Sequence, residues 1–470
     1  MRNTTQPKVV VQQRDPRRRL GPLHHNPTKE DEIQMTWNTR GLIAVAAIAA
    51  AALVTTGCSS PSGDVAEDGP VTITLSGTDG PESYAPVIEA FESENPNITV
   101  EYNQIPQGEY AATMLQRLKA KDTSIDVLTV DQPDVAQFAA SGVLSDMSEY
   151  ADQATDAFPA DQYEVNFYGD KMWALPVWTS TAILFYNKDA FTKAGVPFPS
   201  SDPEEALTWE ELRDTAEQVK TGAGIESGFT FENPASYGSV ITMAASAGGG
   251  TGITGDDGLT ADVDNDGWVK AMTWYAKLFE DGIAPRGTGQ IGTDAYFAAG
   301  NSAFIASGPW SVGGYLPGGW AESSIDWGVA PFPYFEGGDR ATWTGAWSWS
   351  YNPASEHKDA AKKFIEYASL NAEGNYKTVE TTTIIPSNLE AAAKYFPDIQ
   401  DQAGDHGAGL ADILTYQNDN TALARPVTVG YVQFLTVMNS AVSDIVNGAD
   451  PEARLGQAQT ELEEALKGLQ

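Results

Sequence analysis

Tryptophan alternates with small residues in the segment 342–350. If this segment is a strand, Trp343, Trp347 and Trp349 share one face, because successive side chains point to opposite faces. A flat ring offers a platform for the apolar face of a ligand, and a few fixed polar groups then select its hydroxyl rim. All three rings could instead belong to the core, which is the commoner place for any single tryptophan.

Two charged residues could supply such polar groups. Asp131 follows the near-continuous apolar run 125–130, so it lies at the carboxyl end of a predicted strand, where open α/β sheets bind ligands. Its alternative role is to cap a helix that begins near Pro133. Arg425 carries a forked donor that suits vicinal hydroxyl groups, although an ion pair across a hinge would also use it.

Two further tryptophans flank predicted strand ends. Trp310 closes the turn 307–310 and faces the side on which a cleft would open. Trp178 ends an extended stretch that we expect to lead from one lobe to another. Asn187, at the far end of this stretch, caps the next helix or contributes to the site. We therefore expect Trp310 and Trp178 to line a ligand site.

The chain is poor in the groups that catalysis and nucleic-acid binding require. Only His357 and His406 follow Cys58, the single cysteine, so neither a disulfide nor a cysteine-based metal site is possible within the chain. The formal net charge of −36 argues against nucleic acid and anionic lipid as partners. We predict no cofactor and no metal.

Two motifs suggest ligands that their surroundings do not support. The segment 287–292 spells GxGxxG, but no strand precedes it, so we do not expect a nucleotide there. The segment 262–267 begins like a calcium-binding loop, but Thr273 stands where that loop requires Glu. Asp264 or Asp266 is better explained as the cap of a helix that begins near Gly267.

The predicted elements that must position these residues alternate between strand and helix. Strands at 71–75, 98–102 and 125–130 are separated by amphipathic helices, and this order indicates a largely parallel sheet with right-handed crossovers. The chain is too long for one core, which predicts two α/β lobes that the chain crosses between several times. The predicted lobes are 71–178 with 329–378, and 179–328 with 379–470.

The residues before the first strand have the layout of an export signal. Arg40 precedes a short uncharged run that ends in small residues at Cys58, and this arrangement resembles the lipobox of bacterial lipoproteins, with Thr55 where Leu is usual. The resemblance implies that residues 1–57 are removed and that Cys58 is lipidated, with 58–70 as a flexible tether. We hypothesise that translation starts at Met35, so that 35–57 is the signal peptide and 1–34 is not translated. A start at Met1 is the alternative.

Five stretches, in the order in which the family has them, resemble the extracellular solute-binding proteins of ABC importers, the family that includes maltose- and trehalose-binding proteins. The stretches are 91–100, 142–147, 184–191, 298–310 and 424–431. The resemblance implies a two-lobed periplasmic-binding-protein-like fold of type II, with a hinge of multiple crossing segments. It also implies that a carbohydrate is clamped between the lobes and presented to the transmembrane subunits of a permease.

The same resemblance assigns site residues. Gly345 and Ala346 match the family's glycine-rich cleft segment, which favours Gly345 and Trp347 as lining residues. Trp310 corresponds to a tryptophan that stacks on sugar, and Arg425 lies in the family's Ala-Arg-Pro motif.

Two other functions remain open from the sequence. A secreted glycosidase needs only a pair of carboxylates, which so acidic a chain could supply. A binding protein of the same fold could take glycerol phosphate or a peptide, although a phosphate site would use more cations than this chain offers.

Overall fold

The structure is a computed structural model, and it describes residues 69–255, 258–287, 290–317, 319–320 and 325–469. The predicted leader, the lipidation residue Cys58 and all but the last two residues of the predicted tether lie outside these ranges. None of the helices in the described ranges has the length and apolar character that crossing a membrane requires.

The first part of the chain builds most of one sheet and enters a second. Its strands are β1 (Val71–Gly77), β2 (Ile98–Gln104), β3 (Val127–Asp131), β4 (Phe167–Tyr168), β5 (Lys171–Met172), β6 (Leu175–Thr179), β7 (Ile183–Asn187) and β8 (Ser227–Phe231). Its helices are α1 (Pro81–Glu94), α2 (Gln107–Lys119), α3 (Val135–Ala140), α4 (Ala151–Ala157), α5 (Ala160–Glu164), α6 (Lys188–Ala194), α7 (Trp209–Ala223) and α8 (Tyr237–Ser246).

The second part completes both sheets and ends in two helices. Its strands are β9 (Ile253–Thr254), β10 (Thr260–Ala261), β11 (Ser302–Ser307), β12 (Trp327–Ala330), β13 (Thr342–Trp343), β14 (Trp347–Tyr351), β15 (Ile385–Pro386) and β16 (Ala422–Leu423). Its helices are α9 (Asp266–Glu280), α10 (Gln290–Ala298), α11 (Val312–Tyr315), α12 (Lys358–Ile365), α13 (Ala372–Lys377), α14 (Leu389–Ala403), α15 (Leu410–Asn420), α16 (Tyr431–Val446) and α17 (Pro451–Leu466), and a π-helix spans Glu366–Leu370.

The first sheet has six strands in the order β15-β6-β14-β3-β1-β2. Strands β1, β2 and β3 are parallel, as their alternation with helices predicts, whereas β14 runs antiparallel to both β3 and β6. Apolar side chains cover both faces: Val127 packs on one side, and Leu128 and Val130 pack on the other. Burial on both faces explains why the sequence of β3 is almost continuously apolar.

The second sheet has four strands in the order β12-β7-β11-β8. It is also covered on both faces, because Ile183 and Phe185 of β7 enter one apolar cluster and Leu184 and Tyr186 enter another. Helix α7 packs against this sheet and begins at a capping box, in which Thr208 and Glu211 each bond to the other's backbone N–H.

Three segments that connect the sheets lie side by side. The backbone N–H of Ala182 donates to Trp343, and that of Gly345 donates to Ser180, so 180–182 pairs with 343–345. Strand β13 pairs in turn with β16. The chain therefore passes between its sheets through a small bundle of extended segments, which is the kind of connection predicted for the hinge.

Two sequence predictions about local structure are wrong. The three tryptophans of 342–350 do not share one face, because 344–346 leave the strand pattern to pair with the neighbouring crossing segment. Helix α9 is capped by Asn265, whose Oδ1 accepts from the backbone N–H groups of Gly267 and Trp268 at 3.1 Å each, rather than by Asp264 or Asp266.

The exact lobe boundaries stay a prediction, but two strands bear on them. Strand β15 pairs with β6 of the first sheet, although the sequence predicts 379–470 to lie in the second lobe. Strand β12 pairs with β7 of the second sheet and extends to Ala330, just past the predicted boundary at 329. A proline-containing strand of two residues, such as β15, leaves almost no periodicity in the sequence.

Candidate ligand-binding site

Three of the predicted site residues meet at the carboxyl end of β3. Asp131 is the last residue of β3 and stands opposite Trp347 of β14, which in turn stands opposite Trp178 of β6. The pairing of β14 with β6 shifts register between Trp347 and Ser348. This edge is where the sequence placed the site.

Asp131 forms a two-pronged ion pair with Arg425. The Nη1 atom of Arg425 donates to Oδ2 of Asp131 at 2.8 Å, and Nη2 donates to Oδ1 at 2.5 Å. The Arg425 and Asp131 side chains are only 16% and 18% exposed. Arg425 follows the crossing strand β16 by two residues, so the pair ties a connecting segment to the first sheet. Asp131 does not cap the helix after Pro133, because its side chain accepts no cap hydrogen bond there.

A second acid lies close to this pair. Burial raises the pKa of Asp134 to about 7, the neighbouring charge of Asp131 adds to the rise, and Arg425 opposes it. Burial disfavours the charge of Arg425, yet Asp131, Tyr431 and Asp134 together hold the pKa of Arg425 above its usual value. Arg425 therefore serves as the counter-charge for two carboxyl groups.

The space beside the ion pair is small. A cavity of about 10 Å³ adjoins Arg425. It is lined by Gln132, Pro133, Val165, Thr344, Ala346, Ala424 and Val427. A cavity of this size holds at most one water molecule, so a larger ligand requires the surrounding segments to separate.

Trp310 stands against the crossing segment that contains Gly345. A Cβ atom added to Gly345 would lie 3.4 Å from Cζ3 and 3.6 Å from Cη2 of the Trp310 ring, and 3.4 Å from Oγ of Ser180. Ser180 Oγ also donates to the carbonyl of Gly345 at 3.0 Å. The half-buried Trp310 ring therefore lies close to the backbone at Gly345, with room for a Cβ atom but not for a larger side chain directed at the ring.

Glu232 holds the other edge of Trp310 and was missed by the sequence analysis. The indole Nε1 of Trp310 donates to Oε2 of Glu232 at 2.8 Å. Glu232 directly follows the buried strand β8, just as Asp131 ends β3, so the rule that singled out Asp131 could have found it. Asp79, two residues after β1, fits the same rule, and burial raises its pKa above the usual value.

The remaining predicted tryptophans lie in the core. Trp178 is 5% exposed and packs against Tyr84 and Trp349, and Trp343 packs against Phe231 and Phe332. Asn187 caps α6 by accepting from the backbone N–H of Ala190. The structure therefore brings together Asp131, Arg425, Trp347, Gly345 and Trp310, and it leaves no open face on Trp178.

A larger groove of about 380 Å³ lies elsewhere, between the end of α1 and the π-helix, where Glu94, Lys363 and Tyr367 line it. None of the predicted site residues borders this groove. Among the described residues, no cluster of three His, Cys, Asp or Glu side chains could hold a metal ion.

The fold is that of a two-lobed binding protein, and comparisons with known proteins specify the family. Residues 76–374 match the family model described as bacterial extracellular solute-binding protein. The chain belongs to this family, whose proteins work outside the cytoplasm and bind solutes. It is a solute-binding protein of an ABC importer.

Several relatives are named for what they bind. The maltodextrin-binding protein MdxE of Bacillus subtilis is 26% identical over 353 residues, which cover 72% of this chain and 78% of that protein. The GacH receptor of Streptomyces glaucescens, solved with acarbose, has a TM-score of 0.73 at 23% identity. The matched residues make up 84% of this chain and 98% of the receptor chain. Maltose-bound T. maritima MalE3 has a TM-score of 0.71 at 23% identity, and the matched residues make up 85% of this chain and 100% of the MalE3 chain. These similarities confirm the predicted fold class.

Proposed function

We propose that this protein captures a sugar or oligosaccharide between its two lobes and delivers it to an ABC permease. The observation that carries the proposal is the Trp310 ring, half-buried and held against Gly345, with the Asp131–Arg425 pair on the same bundle of crossing segments. An aromatic platform beside forked polar groups matches the apolar faces and hydroxyl rim of a sugar. The relatives named for maltodextrin and maltose support the same substrate class.

In this proposal the sugar replaces the Asp131–Arg425 contacts. Asp131 accepts hydrogen bonds from ligand hydroxyl groups, Arg425 donates to others, and Trp310 stacks on a C–H face of the ring. The cavity beside Arg425 is far too small for a sugar, so binding follows separation of the lobes about the crossing segments, and closure clamps the ligand. The lobes are 71–178 with 329–378 and 179–328 with 379–470, with β15 joining the first sheet.

The same proposal includes a membrane anchor. Cys58, at the end of the predicted signal, carries the lipid, and 58–70 tethers the lobes to the outer face of the membrane beside the permease. A single acyl chain gives only marginal binding, so the anchor has more than one. Mass spectrometry of the protein from its native membrane tests this directly: an unmodified Cys58 would contradict it.

We further propose that the ligand leaves chemically unchanged. The matching family and the named relatives are described as binding proteins, and the carboxyl group of Glu232 already has Trp310 as a structural partner. Incubation of the protein with a bound oligosaccharide, followed by chromatography, should recover the intact sugar. Release of shorter products would favour a glycosidase.

A thermal-shift screen of the full chain against mono- and oligosaccharides tests the proposed function. A ligand that binds only the folded state raises the apparent melting temperature, so we expect at least one sugar to do so, with glycerol phosphate and a peptide as comparison ligands. The Trp310→Ala variant should lose most of the shift. A shift from glycerol phosphate or the peptide alone would contradict the proposal.

A further inference from the structure

The carboxyl group of Glu232 is buried and accepts two hydrogen bonds on one oxygen. Nε1 of Trp310 donates to Oε2 at 2.8 Å, and Oγ of Ser307 donates to the same atom at 2.5 Å. The Glu232 residue is only 7% exposed. Its position at the end of β8 is fixed by its backbone N–H, which donates to Ala306 in the neighbouring strand.

A chain of hydroxyl groups links Glu232 to a second buried acid. Oγ of Ser307 lies 2.6 Å from Oγ of Ser311, which lies 3.4 Å from Oδ1 of Asp294. The hydroxyl group of Tyr315 donates to the same Oδ1 of Asp294 at 2.6 Å. Asp294 is 3% exposed. Within the described residues, no Lys, Arg or His forms an ion pair with either acid.

The two acids at the ends of this network lack a counter-charge. The indole and the three hydroxyl groups supply four hydrogens, which match the four short contacts, whereas the contact of Ser311 with Asp294 is long. A proton on one of the two carboxyl groups removes one of two buried negative charges that no cation offsets, and it gives the long contact a donor.

We propose that Glu232 is a positioning residue for Trp310: its carboxyl group holds the ring in the binding site, and the proton that it shares with Asp294 sets how firmly it does so. This inference deepens the proposed function, on which it rests for the role of Trp310 in ligand binding.

The titration range of the network is close to neutral. Burial raises the pKa of Glu232 to about 7, and the charge of Asp294 adds to the rise while Ser307 and Trp310 oppose it. Burial likewise raises the pKa of Asp294 to about 6. The titratable groups that face one another here are Glu232 at the end of β8, Asp294 on α10 and Tyr315 on α11, and burial and both acids keep Tyr315 protonated by raising its pKa.

The proton on Glu232 therefore makes the strength of the hydrogen bond to Trp310 depend on pH. Hydrogen bonds to an ionised acceptor are about twice as strong as those to a neutral one, so the deprotonated Glu232 holds the indole N–H more firmly. Sugar affinity should rise about fivefold between about pH 5.5 and about pH 8, which corresponds to the gain expected for one such bond.

The indole N–H resonance of Trp310 tests the positioning without any ligand. In the full chain labelled with ¹⁵N-tryptophan, the resonance is identified by its loss in Trp310→Phe. It should shift between about pH 5 and about pH 8.5, the range in which the raised carboxyl pKa values fall, and Glu232→Gln should abolish the shift. Glu226→Gln is the matched control, since Glu226 contacts half-buried Tyr296 instead and should leave the shift in place.

Sugar affinity of the same variants completes the test. Glu232→Gln keeps an acceptor oxygen, and its sugar affinity should depend less on pH than that of the wild type, whereas Glu232→Leu removes the acceptor and should bind about tenfold more weakly, as expected for a lost buried hydrogen bond. A Trp310 resonance that does not titrate, or that titrates equally in Glu232→Gln, would overturn the positioning role. If the resonance behaves as expected but no sugar binds at any pH, the proposed function fails and the positioning role stands.

Discussion

Two carboxyl groups stand at the carboxyl ends of buried strands, one in each sheet, and the protein neutralises them differently. Asp131 ends a buried strand of the first sheet and is paired with Arg425. Glu232 follows a buried strand of the second sheet and is held by an indole, a serine and a chain of hydroxyl groups. In the first sheet a cation, Arg425, offsets the carboxylate, whereas in the second sheet a retained proton lowers the charge of the carboxyl group.

This difference separates two contributions to the proposed site. The Asp131–Arg425 pair fastens a crossing segment to the first sheet, so breaking it should affect stability and the closed arrangement of the segments. The Glu232 network fixes the orientation of a single ring, so changing it should affect affinity and pH dependence more than folding.

The largest expected effect comes from breaking the ion pair. Arg425→Met leaves Asp131 and Asp134 buried without their cation, and removal of one partner of a buried pair costs about 3 kcal/mol of unfolding free energy. Urea denaturation near neutral pH measures this loss. The double variant Asp131→Asn/Arg425→Met should recover more than half of it, because it removes the stranded charge as well. A loss as small as that of an exposed pair, with no recovery in the double variant, would show that the pair is solvated.

The next largest effect is a dependence of the unfolding free energy on pH that arises from Glu232. The folded-state pKa of this group, about 7, lies above its ordinary value of 4.5. Between these two pKa values the folded state binds a proton on Glu232 that the unfolded state has released. The contribution of Glu232 to stability is therefore greatest below the lower pKa and falls as pH rises toward and past the upper one. Relative to Glu232→Gln, wild-type protein should lose about 2 kcal/mol of unfolding free energy between about pH 5 and about pH 8.

Chemical denaturation of both proteins across this range provides the measurement, and the difference between them separates the Glu232–Asp294 network from Asp134. A wild-type protein that gains stability relative to Glu232→Gln as pH rises would contradict a protonated, buried Glu232.

A smaller effect tests the contact between Trp310 and the crossing segment. Gly345→Val places methyl groups where the ring stands, and overpacking of this kind costs about 1 to 3 kcal/mol, most of which should appear as weaker sugar binding because the half-buried ring moves. Gly345→Ala is the matched control, since its Cβ sits at 3.4 Å from the ring and needs only a slight shift. Calorimetric affinities of the two variants that do not differ would contradict the proposed contact.

The smallest effect is expected at an exposed ion pair. Lys171 and Asp146 lie 2.6 Å apart with side chains 56% and 42% exposed. Lys171→Met should change the unfolding free energy by about 0.5 kcal/mol or less, as is usual for solvated pairs. A loss comparable to that of Arg425→Met would remove the distinction between the two kinds of pair.

Much of the fold could be predicted because periodicity and order are local properties. The strands predicted at 71–75, 98–102 and 125–130 correspond to β1, β2 and β3. The pairing of two-residue strands such as β15 and β16 could not be predicted, because these strands are specified by the segments beside them and not by their own pattern.

The site could be predicted in part for a related reason. Polar residues at the ends of buried strands are visible in sequence, which identified Asp131 and could have identified Glu232. Whether a tryptophan faces a cleft or the core depends on packing from distant segments. Trp178 packs against Tyr84, nearly a hundred positions away, and no local pattern distinguishes it from Trp310.

Calorimetric titration of a maltodextrin-type oligosaccharide into the full chain and its Trp310→Ala variant tests the central claim most directly. We predict one saturable binding event per wild-type molecule and an affinity at least about tenfold lower in the variant, as expected for loss of a dominant aromatic contact. Equal affinities in the two proteins, or no heat of binding with any sugar tried, would contradict a sugar site built around Trp310.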